Sequence, residues 1–334
     1  MMSEAKEVYA EQMGLINNAI STKSNCPEMI EYMRSIPFRV GRTKLYKTEE
    51  LFDVFDIEHP ETFEQCMDTR VYRHEVKTGK QTCAPFELAA RSLHDMGIRM
   101  AMEGFLNNYE RNRVVGIMGG HALSRTSPVY RQAVDVSKRL TEDNYLMISG
   151  GGPGAMEATH LGAWMAGRTD AEVDEAIEIL SVAPKFEDEG WLTQSFRVRE
   201  RFPYVSNYES LAIPTWFYGH EPPCVFATQI AKLFENSIRE DTLMTEAYGG
   251  LIFFEGSAGT LQEIFQEAVQ DHYVSLGYPS PMLFVNSEFW TEQVPVFPFM
   301  QHMLENGRYK NLLINLVDTT DEIIYSIKEF KPGV

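Results

Sequence analysis

The sequence predicts an α/β fold, a doubly wound parallel sheet preceded by a mainly helical extension. From Arg113 onward, short apolar runs alternate with amphipathic helix patterns, and three of those runs end in glycine-rich loops. The change of pattern near residue 110 divides the 334-residue chain into a helical segment, 1–110, and a sheet-forming domain, 111–334.

Residues 1–110 hold acidic, helix-like stretches, a mixed-charge segment from Arg70 to Glu75, and a longer helical pattern. In that pattern Leu88, Leu93, Met96, Ile98, Met100 and Leu106 recur at roughly helical spacing. Strands are expected at 114–118, 145–149, 251–254, 282–285 and 312–316. Between the first two, Val129, Ala133, Val136 and Leu140 mark one helix face. After the third, Leu261, Ile264, Phe265, Ala268 and Val269 mark another, at i, i+3, i+4, i+7 and i+8. Ile323, Ile324, Ile327 and Phe330 predict a closing helix. Asp170 to Leu180 reads as an acidic exposed helix, followed by an irregular, aromatic-rich crossing segment through Tyr218. Internal repeats and low-complexity tracts are absent from the sequence.

Composition narrows the function. A formal net charge of −18 argues against binding a nucleic-acid backbone or an anionic membrane surface, since both need clustered Lys and Arg. An anionic ligand must therefore be held locally, by backbone amides and a few arginines. The four cysteines, Cys26, Cys66, Cys83 and Cys224, form no CxxC pair, which predicts a reducing, cytoplasmic setting. The N-terminus lacks the basic and apolar regions of a signal peptide, and no run has the roughly 18 apolar residues of a membrane span. His121, His160, His220 and His272 lie far apart, so no metal site is expected.

The three loops carry the chemistry. Val114–Met118 runs into Gly119-Gly120-His121, and 145–149 into Gly150-Gly151-Gly152-Pro153-Gly154-Ala155-Met156-Glu157. The third, Leu251–Phe254, runs through Glu255 into Gly256-Ser257-Ala258-Gly259-Thr260. In open α/β sheets ligands bind at the carboxyl ends of strands, where helix N-termini present unpaired amides. Three such loops predict a phosphate-centred pocket, although a triple-glycine loop also serves simply as a tight strand-to-helix turn. Residues 150–155 fit GxGxxA, the dinucleotide fingerprint, but the carboxylate that should end the next strand is missing, which disfavours a nicotinamide cofactor. Glu263 has two readings. Thr260-Leu261-Gln262-Glu263 matches a T-x-x-E capping box, while the apolar face of the same helix leaves Glu263 beside the phosphate loop, free for chemistry.

With these loops in order, the sequence resembles the LOG family of cytokinin-activating phosphoribohydrolases, and within it the bacterial nucleotide 5′-monophosphate nucleosidases. The likeness spans about Arg113 to Phe330 and rests on GGH (119–121), GGGPGAME (150–157) and EGSAGTLQE (255–263). Against the family hallmark PGGxGTxxE, Glu255 stands for proline and Ser257 for the second glycine, whereas Gly256, Gly259, Thr260 and Glu263 match. The family's arginine on the preceding helix maps to Arg239 when counted from Glu221-Pro222-Pro223, with a one-residue insertion before Gly256; the alternative is a surface arginine paired with Glu235 or Glu240.

The resemblance implies hydrolysis of a nucleoside 5′-monophosphate to free base and ribose 5-phosphate, with no cofactor and at least a homodimer. Glu263 and Arg239 would be catalytic. Gly151, Gly152, Gly154, Ala155, Met156 and Gly256 to Thr260 (Ser257, Ala258 and Gly259 between) would hold phosphate. Gly119, Gly120, His121 and Glu157 would meet the rest of the substrate. Glu255 at the mouth of a phosphate loop either points away, pairs with an arginine, or marks a changed ligand or lost activity. A non-catalytic nucleotide-binding protein on the same fold is therefore the main rival; an NAD(P)-linked oxidoreductase and an amino-acid decarboxylase are disfavoured. Trp216, Phe217 and Tyr218 either stack on a base or pack in the core or a dimer contact.

Overall fold

The computed structural model describes residues 2–22 and 25–332. Met1, Gly333 and Val334, the outer ends of the two segments expected above, lie outside the described residues. The chain begins with helices α1 (Met2–Thr22), α2 (Pro27–Ser35), the single turn α3 (Thr48–Leu51), α4 (Met67–Thr78) and α5 (Pro85–Leu106). Strand β1 (Val114–Met118) then leads through α6 (Pro128–Glu142) to β2 (Leu146–Ser149), α7 (Ala155–Trp164), α8 (Asp170–Leu180) and α9 (Trp191–Arg201). The short strands β3 (Ser210–Ala212) and β4 (Gln229–Ile230) precede α10 (Asn236–Glu246), β5 (Gly250–Phe253) and α11 (Ala258–Tyr273). After these come β6 (Pro281–Val285), α12 (Val296–Glu305), β7 (Leu313–Val317) and α13 (Thr320–Glu329).

The seven strands form one parallel sheet in the order β4-β3-β2-β1-β5-β6-β7. The core strands β1, β2, β5 and β6 are buried along their whole length, as parallel strands covered by helices must be. α6 packs on α7 and α13, and α10 on α11 and β1. Chain order reverses between β1 and β5, so the crevice beyond their carboxyl ends is the topological switch point, the place where such sheets bind ligands.

The helical segment is joined to the sheet by backbone and buried polar bonds. Tyr46 pairs antiparallel with Ile230, donating to its carbonyl at 2.8 Å and accepting from its amide at 3.0 Å, which covers the β4 edge at one residue. α5 departs from the apolar pattern of its sequence. Leu88, Leu93, Met96 and Met100 are exposed, while the buried face carries Glu87, Arg91, His94 and Asp95 beside Ile98 and Met102. Those charges are consumed inside: Arg91 Nε donates to Glu87 Oε1 at 2.6 Å, and His94 bridges Tyr46 Oη (2.8 Å) and Asp95 Oδ1 (2.9 Å). Asp95 also accepts from the backbone amides of Phe234 and Glu235, the two residues that lead into α10.

Two further expectations change. The segment read as irregular, through Tyr218, contains helix α9 and strand β3; β3, and β4 beyond that segment, are too short to show a period. On α11 the buried positions are Thr260, Ile264, Glu267, Ala268 and Asp271, while Val269 is exposed, so the inward face mixes carboxyls with apolar groups. Among the described residues no helix is long and apolar enough to cross a membrane.

Candidate active site

The three glycine loops meet at the switch point. The Gly120 amide donates to the Glu255 carbonyl at 2.8 Å, tying the β1 loop to the β5 loop, and the Ala155 amide donates to the Gly120 carbonyl at 3.2 Å, tying in the β2 loop. Gly154 makes this closure possible. Its φ is +68°, and a Cβ there would stand 2.3 Å from the Gly120 carbonyl oxygen. Above the junction lies a cavity of ≈ 430 Å³, within the usual size of a small-molecule site. Larger hollows of ≈ 680 and ≈ 510 Å³ open beside Arg39 and beside Met96, where the strand residues Gln229 and Val114 start β4 and β1, away from the carboxyl ends.

Helix α11 begins at Ala258, with Ser257 as its N-cap and no side chain capping it. The first bond of the helix is Leu261 N–H to Ser257 O at 2.9 Å, so among the described residues the amides of Ala258, Gly259 and Thr260 have no acceptor. Three unpaired amides at the positive end of a helix dipole face the cavity, which is what a phosphate requires. Gly256 lies under them; a Cβ there would meet Thr260 Oγ1 at 2.1 Å.

Thr260 and Glu263 therefore sit inside the first two turns rather than at the cap, and the capping-box reading of Thr260-x-x-Glu263 does not hold. Glu263 lines the cavity with no hydrogen-bond partner among the described residues. Burial pushes its carboxyl up to about 7, with Glu240 adding to the rise and Arg239 opposing it. Arg239, from α10, lines the same cavity. Its Nε donates to the Ile213 carbonyl at 2.9 Å, and its guanidinium fills the space that a side chain on Gly150 would take, where a Cβ would stand 1.8 Å from Nη2. Glu240, the proposed surface partner, is instead engaged by Asn236 and Gln262, each at 2.7 Å.

The remaining sequence-predicted residues divide. Gly119, Gly120, His121, Gly151, Gly152 and Met156 line the cavity, as do Ser257, Ala258, Gly259 and Thr260. Gly154, Ala155 and Gly256 lie beneath it as the joints just described. Glu157 is elsewhere: it is fully buried, accepting from Arg125 at 2.8 and 2.5 Å, from Tyr130 Oη at 3.0 Å and from Ser195 Oγ at 3.3 Å. A carboxylate so completely occupied joins α7 to α9 and to the loop bearing Arg125, and the expectation that it meets substrate is corrected. Glu255 points away from the cavity. Its Oε1 accepts from Asn286 Nδ2 at 2.6 Å, at the end of β6, so the charge does not confront a bound anion.

Several lining residues have no motif to announce them. Pro214 and Thr215, after β3, and Lys232, beyond β4, are such residues, while Tyr218 of the aromatic group and Glu221 of Glu221-Pro222-Pro223 also border the cavity. Of the three aromatic residues, Trp216 is fully buried, and its Nε1 donates to Asp68 Oδ1 at 2.9 Å; only Tyr218 is placed to meet a ligand. His160, buried between Ser149 and Ser210 hydroxyls, is held neutral by burial, its imidazole pushed down to about 3.

No family model and no curated protein matches the chain. Similar solved structures include the molybdenum cofactor binding protein from the phototrophic bacterium Rippkaea orientalis, 12% identical with a TM-score of 0.41, matched over 64% of this chain and 94% of that one. Another is TM1055, 16% identical with a TM-score of 0.43, matched over 65% of this chain and 99% of that one. Likenesses of this degree speak to neither substrate nor chemistry.

Proposed function

We propose that this protein is a LOG-type phosphoribohydrolase that cleaves the N-glycosidic bond of nucleoside 5′-monophosphates to free base and ribose 5-phosphate. The observation that supports it most is the meeting of an unpartnered carboxyl, Glu263, with Arg239 and three unpaired helix amides in one cavity at the switch point. The residues of 111–334 supply these groups; the segment 1–110 is read as an accessory extension, and the active form as a cytoplasmic homodimer or larger homo-oligomer.

The amides of Ala258, Gly259 and Thr260, with the glycine loop of β2, take the 5′-phosphate. Binding energy from this remote group then holds the sugar for reaction. Glu263 lies one helical turn beyond those amides, placing its carboxylate toward the ribose. As the C1′–N bond lengthens, positive charge grows on the sugar; the carboxylate stabilises it and accepts a proton from the attacking water. A carboxyl pushed up to about 7 is a stronger base than an ordinary glutamate and is still partly ionised at neutral pH. Arg239 offsets substrate charge and keeps Glu263 from rising further.

The test is ribose 5-phosphate release from a panel of purine and pyrimidine 5′-monophosphates, with the matching nucleosides as controls. Release from monophosphates and not from nucleosides is the expected result. If no monophosphate is cleaved while all of them raise the melting temperature, the cavity binds without cutting and the hydrolase reading fails.

A further inference from the structure

Lys232 is a buried ammonium in the wall of the cavity, and its counter-ion comes from outside the sheet domain. Its Nζ donates to Asp68 Oδ1 at 2.5 Å, and both side chains are 1% exposed. Asp68 is on α4, in the helical extension, and the same Oδ1 accepts from Trp216 Nε1 at 2.9 Å. Lys232 Nζ also stands 5.2 Å over the Trp216 ring. An ammonium has three donors, and Asp68 is its one hydrogen-bond acceptor among the described residues. A buried cation with unspent donors, lining a ligand cavity, wants an acceptor from the ligand.

Position identifies which part of the ligand. The unpaired amides are on α11, after β5, whereas Lys232 follows β4, with β1, β2 and β3 between the two strands in the sheet, so the amides and the lysine enter the one cavity from opposite sides. A phosphate on α11 and a sugar beside Glu263 leave the base as the end that points toward β3 and β4, where Pro214, Thr215 and Tyr218 also line the wall.

Building on the hydrolase reading above, we infer that Lys232 is the donor to the departing base and that Asp68 is the positioning residue that aims it. Water adds its oxygen to C1′ as the C1′–N bond breaks. The bonding pair leaves with the base, a proton passes from Lys232 Nζ to an acceptor nitrogen or oxygen of the base, and Glu263 takes the proton of the water. Exchange with solvent restores both groups. Burial lowers the lysine's affinity for its proton, and the Asp68 and Glu75 carboxylates oppose that shift, so the group gives up its proton more readily than a lysine in water.

The experiment compares two leaving groups on one sugar phosphate. Nucleotides need assistance at the base, whereas p-nitrophenyl ribose 5-phosphate expels a phenolate that needs no proton. Lys232→Met should lower kcat on adenosine and cytidine monophosphates by about 100-fold or more, and on the nitrophenyl substrate by no more than roughly threefold. Asp68→Asn, which retains the acceptor for Trp216, should show the same selective loss at smaller size with KM little changed. An equal loss on both substrates overturns the assignment. The Asp68→Asn/Lys232→Met double variant removes both buried charges together and controls for folding. Should the wild-type protein cleave neither substrate, the hydrolase reading fails, and the Lys232 assignment is decided by binding. Lys232→Met must then weaken the thermal shift given by adenosine monophosphate and spare that given by ribose 5-phosphate; equal weakening refutes it.

Discussion

In the proposed reaction Glu263 concentrates the chemistry in one side chain. As a general base it works only when ionised, and burial places its ionisation near pH 7. kcat/KM should therefore fall about tenfold per unit on the acid side of that value and level off above it. Glu263→Gln should cut turnover by roughly 10²- to 10⁴-fold while leaving monophosphate binding in place, measured by a thermal shift alongside the pH–rate profile. Gly150→Ala tests Arg239 without touching it. The new methyl would occupy the site of Nη2, and because the obstacle is the end of a flexible side chain, the fold should survive while turnover falls. Far-ultraviolet circular dichroism and steady-state kinetics on one preparation separate the two effects. At this scale the sequence is read unevenly. T-x-x-E occurs at Thr169–Glu172, Thr319–Glu322 and Thr260–Glu263; the first two form capping boxes, and the third does not, because its helix starts early at Ala258, just past the turn at Gly256. The acid at Glu255 gives no sign in the sequence of its partner, since Asn286 is brought to it only by the pairing of β5 with β6.

Single elements carry charge in their interiors. The Arg125–Glu157 pair ties α7 to α9, and Glu157→Gln would leave the guanidinium in a buried site with its charge unmatched, at a cost of about 3–5 kcal/mol. Urea unfolding should show that loss, while KM for monophosphates in the folded protein stays near the wild-type value. On α11, burial raises the Glu267 carboxyl, and burial together with Glu267 raises that of Asp271. The folded chain thus keeps protons that the unfolded chain releases, so stability should decline as pH climbs above the ordinary carboxylate range. Asp271→Asn should flatten that decline, as melting temperatures between pH 4 and 8 would report. Element positions were legible wherever apolar runs were long enough: β1, β2, β5, β6 and β7 fall within a residue of the spacing-based expectation. Faces were less so. α5 inverts its apparent pattern because Glu87, Arg91, His94 and Asp95 satisfy one another and the α10 entry inside, and no rule of periodicity foresees a polar interior.

At the scale of the molecule, the helical extension and the sheet domain share one set of buried bonds. Asp95 receives the amides that lead into α10, the helix of Arg239; Asp68 holds Lys232; Tyr46 covers the β4 edge. A chain starting at Arg111 should lose all three. It should aggregate or melt well below the full protein in differential scanning calorimetry, and one cooperative transition is expected for the intact chain. The glycine loops and their order were readable from the sequence because each is continuous. The Lys232–Asp68 contact was not, since its halves lie far apart in sequence and neither belongs to a motif. The pairing of Tyr46 with Ile230 has a consequence in time. During synthesis its two halves leave the ribosome roughly 180 residues apart, an interval on the order of 10–40 s at about 5–20 residues per second. Until that stretch is made, Asp95 on α5 lacks the Phe234 and Glu235 amides it accepts in the fold, and the outward Met96 and Met100 are exposed throughout, so the emerging chain carries unmatched polar and apolar surface long before its sheet is complete.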